Sequence, residues 1–221
     1  MRIMTRMMTT RRSQSRLGSL ALAGILVFAL ACVLTQILRR DLDWVDVPLS
    51  FYLLGPGGMW LRTAYFVMAA SLVLLGIGLY QALAAPARST APLLLFIISA
   101  AALCITAVEE TNTWAHPATF HGFIHGVAAQ TTFLCVTVAM LLQSLRMRLD
   151  ARWRPWARWA LLGALACFVS LWVQALWRDL PRGASQKVLV LMIVLWLAAA
   201  AWTLWKKEST IFEKSATNEA P

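Results

Sequence analysis

Six long apolar runs constrain this chain more than any other feature of its sequence. They are Leu17–Leu38, Trp60–Ala84, Pro92–Val108, Phe120–Leu145, Trp159–Trp177 and Ala184–Trp205. Each is close to the roughly 20 residues that a helix needs to cross the hydrocarbon core of a bilayer. Because 60% of the 221 residues are hydrophobic and only 14% are charged, the excess apolar surface must face lipid. The sequence therefore predicts an all-α, polytopic membrane protein that folds as a bundle of six transmembrane helices.

Basic residues are distributed unevenly between the two ends of this predicted bundle. The segments on the side of the two termini contain 14 Lys and Arg, and the segments on the opposite side contain six. Lys and Arg accumulate on the cytoplasmic side of membranes, so this distribution predicts cytoplasmic N- and C-termini in a bacterial-type inner membrane. The predicted organisation is a basic cytoplasmic tail at 1–16, a transmembrane domain at 17–205 and a polar cytoplasmic tail at 206–221.

The net charge of +10 does not predict nucleic-acid binding. Most of the arginines lie in two groups, at 2–16 and 146–158, directly beside apolar runs. Basic residues at such positions fix the topology and contact anionic lipid headgroups. The four cysteines lie singly inside apolar runs and lack metal-binding spacing, so we expect core residues there. Membrane lipids are the expected partners, and nucleic acid is not.

All three histidines fall in one segment between the third and fourth apolar runs, as His116, His121 and His125. The last two are four residues apart at the start of a predicted helix, so they share a face. His125 would lie roughly 7–9 Å inside the helix start. An ionisable side chain at that depth should face the bundle interior and have a partner there. Glu109 and Glu110, at the end of the third run, are candidates for that partner.

Other polar side chains are predicted at the same end of the bundle. The candidate ligand-binding residues are Asp46, Ser50, Glu109, Glu110, His121, His125, Gln174 and Gln186. The segment from Asp46 to Gly58 is apolar for a loop, and it either lies on the outer surface or enters the bundle. If it is helical, Asp46 and Ser50 point to one place; otherwise they form a cap and a turn. Together these residues predict a polar His/carboxylate pocket that opens outward.

Three interpretations of this pocket are compatible with the sequence. In the first, which we favour, it binds a lipid headgroup or another small molecule from the outer side, without catalysis and without a cofactor. In the second, His116, His121 and His125 bind a divalent metal such as zinc, and the protein is a membrane hydrolase that uses a carboxylate. The HxxxH spacing suits one ion, but it lacks the glutamate of HExxH. In the third, these groups only hydrogen-bond helices together. Enzymatic activity and the oligomeric state stay open.

Three stretches of the sequence, taken in order, resemble a known family. They are Ser50–Gly58 followed by Trp60, Val108–Glu110 followed by His121–His125, and Ser185–Lys187 followed by Trp196. They resemble the bacterial six-helix membrane proteins of domain-of-unknown-function family 998, over about residues 40–205.

The resemblance supports six-helix topology and implies that His125 is the family's characteristic histidine. It also adds Lys187 to the candidate site, at a position where the family leads us to expect arginine. Lysine would hold an anion less specifically, because it lacks the planar fork of guanidinium. A second departure is Val-Glu-Glu at the third-run end, where an aromatic residue or Phe-Pro before Asp is more usual. The resemblance implies no activity.

Overall fold

The computed structural model describes the backbone of residues 2–113 and 117–217, and the side chains of residues 13–113 and 117–206. The described chain is helical and contains no β-strand. Its six long helices are α1 (Arg2–Leu38), α2 (Gly58–Ala82), α3 (Thr90–Val108), α4 (Phe120–Met147), α5 (Arg154–Leu176) and α6 (Arg182–Thr217). Each contains a stretch that is long and apolar enough to cross a membrane. The predicted fold class, a six-helix transmembrane bundle, is confirmed.

Five of the six helices are longer than the apolar runs that predicted them, and α2 has the same length but is shifted by two residues. α5 begins at Arg154, five residues before the predicted start at Trp159. Arginine favours helix, and Pro155 is tolerated in the first turn, where its missing N–H has no helical acceptor. α1 and α6 continue into the two polar tails, from Arg2 and to Thr217.

The six helices form a closed ring in chain order, in which each helix packs on the next and α6 returns to α1. Because the number of spans is even, both termini lie at one end of the bundle. We call this the proximal end, and it also carries the linkers 83–89 and 148–153. The opposite, distal end carries the segments 39–57, 109–113, 117–119 and 177–181.

Close helix contacts hold the proximal half together. A Cβ atom added to Gly18 of α1 would lie 2.8 Å from the backbone nitrogen of Trp205 in α6. One added to Gly78 of α2 would lie 2.6 Å from the Leu204 Cδ2 atom. Such small residues let helices in a bilayer approach until their backbones are nearly in contact. Helices α1, α2 and α6 are therefore fixed to one another at this end.

Asp150 joins the two proximal linkers. Its buried carboxylate accepts hydrogen bonds from the backbone N–H of Ala84 at 2.8 Å and of Arg152 at 2.9 Å. The Arg152 guanidinium also contacts this carboxylate at 3.1 Å and donates to the Ala82 carbonyl at 2.6 Å. Burial acts to raise the pKa of Asp150, but the hydrogen bonds from Arg152 and Ala84 outweigh it, and the pKa lies below its usual range. The proximal end is thus closed by charge-assisted hydrogen bonds.

Candidate functional site

A cavity of about 260 Å³ lies in the distal half of the bundle. Its walls come from α1, α2, α3, α4, α6 and a 3₁₀ helix at Leu49–Leu53. Most of these walls are apolar, with Phe28, Met68, Phe133 and Ile193 among them. The cavity is larger than an engineered apolar cavity of about 150 Å³ that takes up benzene. It therefore has room for an apolar group of ligand size.

Polar side chains line the distal part of this cavity. Ser50, Thr111, His125 and Gln186 come from the distal segments and the adjacent helix ends, and Tyr65 and Gln130 lie deeper on α2 and α4. Within the described residues, the Tyr65 and Thr111 hydroxyls and the Gln130 amide have no hydrogen-bond partner. A mostly apolar cavity with a few convergent polar groups is the usual form of a small-molecule site.

His125 is the buried ionisable side chain of the cavity, with an exposed fraction of 4%. Its Nδ1 atom lies 2.9 Å from the carbonyl oxygen of Glu109, the residue after α3. A carbonyl can only accept, so Nδ1 donates, and in the neutral ring Nε2 carries no proton. The Thr106 carbonyl also faces the ring. His125 thus binds carbonyls at the end of α3 that lack helical partners, and it borders the cavity.

His121 takes a different position from His125, although the two are four residues apart. Its Nδ1 atom contacts Oε2 of Glu109 at 2.7 Å, and its side chain is 72% exposed. Neither His121 nor Glu109 lines the cavity. The pair lies at the distal surface, one helical turn above His125. The two histidines that the sequence placed on one face therefore serve separate contacts.

The loop that connects α3 to α4 is organised by Asn112. Its side-chain oxygen accepts from the backbone N–H of Thr119 at 2.9 Å and contacts the Thr119 hydroxyl at 3.1 Å. That hydroxyl in turn accepts from the Gly122 N–H at 3.0 Å and caps α4. A Cβ atom on Gly122 would lie 2.0 Å from the Asn112 oxygen, so only glycine fits there. This arrangement fixes the start of the helix that carries both histidines.

Backbone contacts fasten the segment 39–57 to the start of α6. The N–H groups of Gly183 and Ala184 donate to the carbonyls of Asp46 at 3.1 Å and Val45 at 2.7 Å. These donors belong to the first turn of α6, where no helical acceptor exists. A Cβ atom on Gly183 would lie 2.5 Å from the Val47 carbonyl oxygen, so the approach requires glycine. We call these contacts, with the two side chains described next, the distal clasp.

Gln186 and Lys187 complete the distal clasp. The Gln186 Oε1 atom accepts from the backbone N–H of Leu49 at 2.8 Å. The Lys187 ammonium donates to the carbonyl of Val47 at 2.9 Å and to that of Trp44. It also lies 5.1 Å from the centre of the buried Tyr52 ring. The clasp holds the 3₁₀ helix against the bundle, so the apolar segment enters the bundle instead of lying on its surface.

The predicted site residues separate into two groups. Ser50, His125 and Gln186 line the cavity together. The others lie away from it: Asp46 and Glu110 are exposed, Glu109 contacts His121, Gln174 donates to the Ser185 hydroxyl at 3.2 Å, and Lys187 holds the clasp. Because the 3₁₀ helix begins only at Leu49, Asp46 and Ser50 do not share a helical face.

Six polar residues that line the cavity were not among the predicted site residues: Tyr65, Ser99, Thr106, Thr111, Gln130 and Thr132. The amide of Gln130 gave a usable signal, since a polar side chain well inside a membrane span faces the bundle interior. Tyr65 gave a weaker one, because tyrosine is also common at the membrane interface. Thr111 lies in a connecting segment, and nothing in the sequence singled it out.

The described residues contain no group of three His, Cys, Asp or Glu side chains placed to hold a metal ion. His121 and His125 point to different surroundings, and His116 lies outside the described residues. The metal-dependent hydrolase therefore has no support from the described part of the chain.

These observations define a class of protein: an integral membrane protein with six spans and a mostly apolar cavity at one end of the bundle. The chain belongs to the family described as "Protein of unknown function (DUF998)", whose model matches residues 22–203. The match confirms the family resemblance and includes every residue that lines the cavity. No curated protein and no solved structure matches the chain significantly.

The three stretches that carried the resemblance meet at the distal end of the bundle. Ser50–Gly58 includes most of the 3₁₀ helix, and Ser185–Lys187 forms part of the distal clasp. Each of the three stretches contributes a polar lining residue to the cavity, namely Ser50, His125 and Gln186. They are far apart in the sequence but surround one cavity.

Proposed function

We propose that this protein is a lipid-binding membrane protein that holds one lipid molecule in the distal cavity. The headgroup, or the polar part next to it, would lie beside Ser50, His125 and Gln186, and the chain would extend along the apolar walls. The observation that carries this proposal is the combination of a mostly apolar cavity in a membrane-spanning bundle with polar side chains on the distal side of that cavity, Ser50, His125 and Gln186 among them.

The polar groups support an amphipathic occupant over a purely apolar one. The Tyr65 hydroxyl and the Gln130 amide line the cavity and have no partner among the described residues, so a ligand with polar groups can hydrogen-bond them. The neutral His125 ring offers an acceptor at Nε2, and the Gln186 amide nitrogen offers a donor. A glycerol, ester or phosphate group could use all of these.

The charge distribution supports a location in a bacterial-type inner membrane, with the distal end facing out. Segments at the proximal end contain 14 Lys and Arg, against six at the distal end. By the positive-inside rule the proximal end, with both termini, would be cytoplasmic. The cavity would then receive its lipid from the outer leaflet.

The test is native mass spectrometry of the full-length protein, purified in a mild detergent, with the cavity filled by mutation. A Cβ atom at Gly126 meets no atom within 4 Å, and this residue lines the cavity. Gly126→Leu therefore adds a side chain at the cavity wall with no clash at its Cβ atom. Ala101→Leu adds the same side chain at an exposed position on α3 that does not line the cavity, and serves as the matched control.

The wild-type protein and Ala101→Leu should retain about one lipid each. Gly126→Leu should retain roughly tenfold less lipid. Overpacking a site costs about 1–3 kcal/mol, and about 1.4 kcal/mol corresponds to a tenfold change in affinity. Equal lipid content in all three folded proteins would show that the bound lipid lies elsewhere, and would refute the proposal.

A further inference from the structure

A second hollow, of about 220 Å³, lies between α1 and α6. We call it the lateral groove. Its walls are mainly apolar side chains, among them Cys32 and Val33 of α1 and Leu191 of α6. Val33 and Leu191 are 52% and 56% exposed, which places them on the outer face of the bundle. Both helices cross the membrane at this level, so the groove opens toward lipid.

One layer of side chains separates the lateral groove from the distal cavity. Phe28, Leu49, Val190 and Val194 line both spaces. Phe28 belongs to α1, Leu49 to the 3₁₀ helix, and the two valines to α6. The groove and the cavity therefore share a wall made of these four side chains.

We propose that the lateral groove binds the acyl chain of an anionic membrane lipid and is the entrance through which lipid reaches the distal cavity. This inference rests on the proposed function, and it adds the route and the charge of the ligand. A ligand that enters from the bilayer between two helices is already dissolved in the membrane. The inference therefore selects a membrane lipid over a water-soluble molecule.

Among the four side chains shared by the groove and the cavity, Leu49 is the one that does not belong to a membrane-spanning helix. It lies in a 3₁₀ helix of only five residues, Leu49–Leu53, and its N–H is bound by the Gln186 side chain. A short 3₁₀ helix has weaker hydrogen-bond geometry than an α-helix. Release of the Leu49 N–H by Gln186 would let the 3₁₀ helix and the Leu49 side chain move away from Phe28. That movement opens the groove to the cavity.

Lys187 provides the preference for an anionic headgroup. It lines the distal end of the groove, and its ammonium makes hydrogen bonds to the carbonyls of Trp44 and Val47. An ammonium has three protons, so one remains for a further acceptor. Within the described residues no carboxylate lies within 4 Å of this ammonium. Asp43 interacts with this charge only from a greater distance. A lipid phosphate at this position would pair directly with the ammonium while its chain follows the groove.

The experiment uses full-length protein, stripped of lipid and placed in nanodiscs with phosphatidylglycerol that carries a diazirine on its acyl chain. After brief incubation and irradiation, peptide mass spectrometry maps the adducts. Leu191→Trp fills the groove from its outer side, and Leu191 does not line the cavity. Leu195→Trp is the matched control, since Leu195 is 60% exposed on the same helix and lines neither space.

In the wild-type protein and Leu195→Trp, adducts should form on groove peptides and on cavity peptides. Leu191→Trp should reduce both by roughly tenfold, because overpacking the groove removes the acyl-chain site. The matching phosphatidylcholine probe should label the groove several-fold less than phosphatidylglycerol. Equal labelling by the two lipids would overturn the assignment of an anionic headgroup.

The remaining outcomes separate the entrance from the proposed function. Unchanged cavity labelling in Leu191→Trp would overturn the entrance, while lipid binding in the cavity would still hold. Adducts in the groove but none in the cavity of the wild-type protein, even after long incubation, would refute the proposed function and the entrance with it. Groove labelling no stronger than that of the exposed face of α5 would overturn the groove as a lipid site.

Discussion

The proximal and distal ends of this bundle are held together by different means. At the proximal end, helices touch at Gly18 and Gly78, and Asp150 binds both linkers through a buried carboxylate. At the distal end, the helices surround a cavity, and the segment 39–57 is held to α6 by backbone carbonyls and two side chains.

This difference shows where a bundle can accept a ligand. Close packing and charge-assisted hydrogen bonds at one end supply the stability and fix the spacing of the helices. The other end can then leave space between the same helices, at the cost of the contacts that would have filled it. Its closing elements are mainly hydrogen bonds between neutral groups, joined by the Lys187 ammonium, and they hold a single connecting segment. Hydrogen bonds between neutral groups are individually weaker and easier to rearrange.

The largest effect should come from breaking the proximal end with Asp150→Ala. The change leaves the Ala84 and Arg152 N–H groups and the Arg152 guanidinium without their carboxylate. We expect a loss of about 2–3 kcal/mol of stability, measured by thermal unfolding in detergent. Asp46→Ala is the control, because the Asp46 carboxylate is exposed and has no hydrogen-bond partner among the described residues. It should change stability by less than about 0.5 kcal/mol. If Asp150→Ala and Asp46→Ala lost the same stability, the Asp150 carboxylate would not be what joins the two proximal linkers.

A slightly smaller effect should follow from breaking the distal clasp with Gly183→Ala. The new Cβ atom would lie 2.5 Å from the Val47 oxygen and 2.7 Å from the Val45 oxygen, and backbone atoms cannot move aside cheaply. We expect a loss of about 2 kcal/mol, together with reduced retention of lipid.

Gly126→Ala is the matched control for this substitution. Nothing lies within 4 Å of its new Cβ atom, and it replaces glycine inside a helix. It should stabilise the protein by about 0.5–1 kcal/mol. If Gly183→Ala were as stable as Gly126→Ala, the distal clasp would not hold the segment in place.

Replacing each of the two histidines compares a cavity residue with a surface residue at the same distal end. His125→Ala leaves the Glu109 carbonyl unpaired in buried surroundings, and should cost about 1–2 kcal/mol and weaken lipid retention. His121→Ala removes an exposed contact with the Glu109 carboxylate, and should cost less than about 1 kcal/mol with lipid retained. The unfolding temperature measures the change in stability, and native mass spectrometry measures the lipid that is retained. A larger effect of His121→Ala than of His125→Ala would show that the functional histidine is His121, at the distal surface.

The smallest effect should be a pH dependence that originates at the proximal end. The folded-state pKa of Asp150 is lowered, so its stabilising contribution is complete above the unfolded value of about 3.9. It is lost as the pH falls below about 4 through the folded pKa. Asp150→Asn should flatten this part of the curve of unfolding temperature against pH. An unchanged slope below pH 4 would show that other carboxylates produce it.

The sequence by itself determined the membrane class, the six spans and the position of both termini at one end. These properties are local, because each apolar run of about 20 residues must cross the bilayer as a helix whatever its neighbours do. The run Phe120–Leu145, for example, predicted α4 to within two residues at each end. The order of the spans then fixed which loops share an end.

Only the tertiary structure decided which polar side chains meet. The four-residue spacing placed His121 and His125 on one face, yet one contacts a surface carboxylate and the other lines a cavity. The sequence grouped Asp46 with Ser50, but the clasp at Gly183 directs the segment so that only Ser50 enters the site. Such convergence depends on distances between helices and on the path of one connecting segment. Those are set by side-chain packing across elements far apart in the chain, and no local pattern records them.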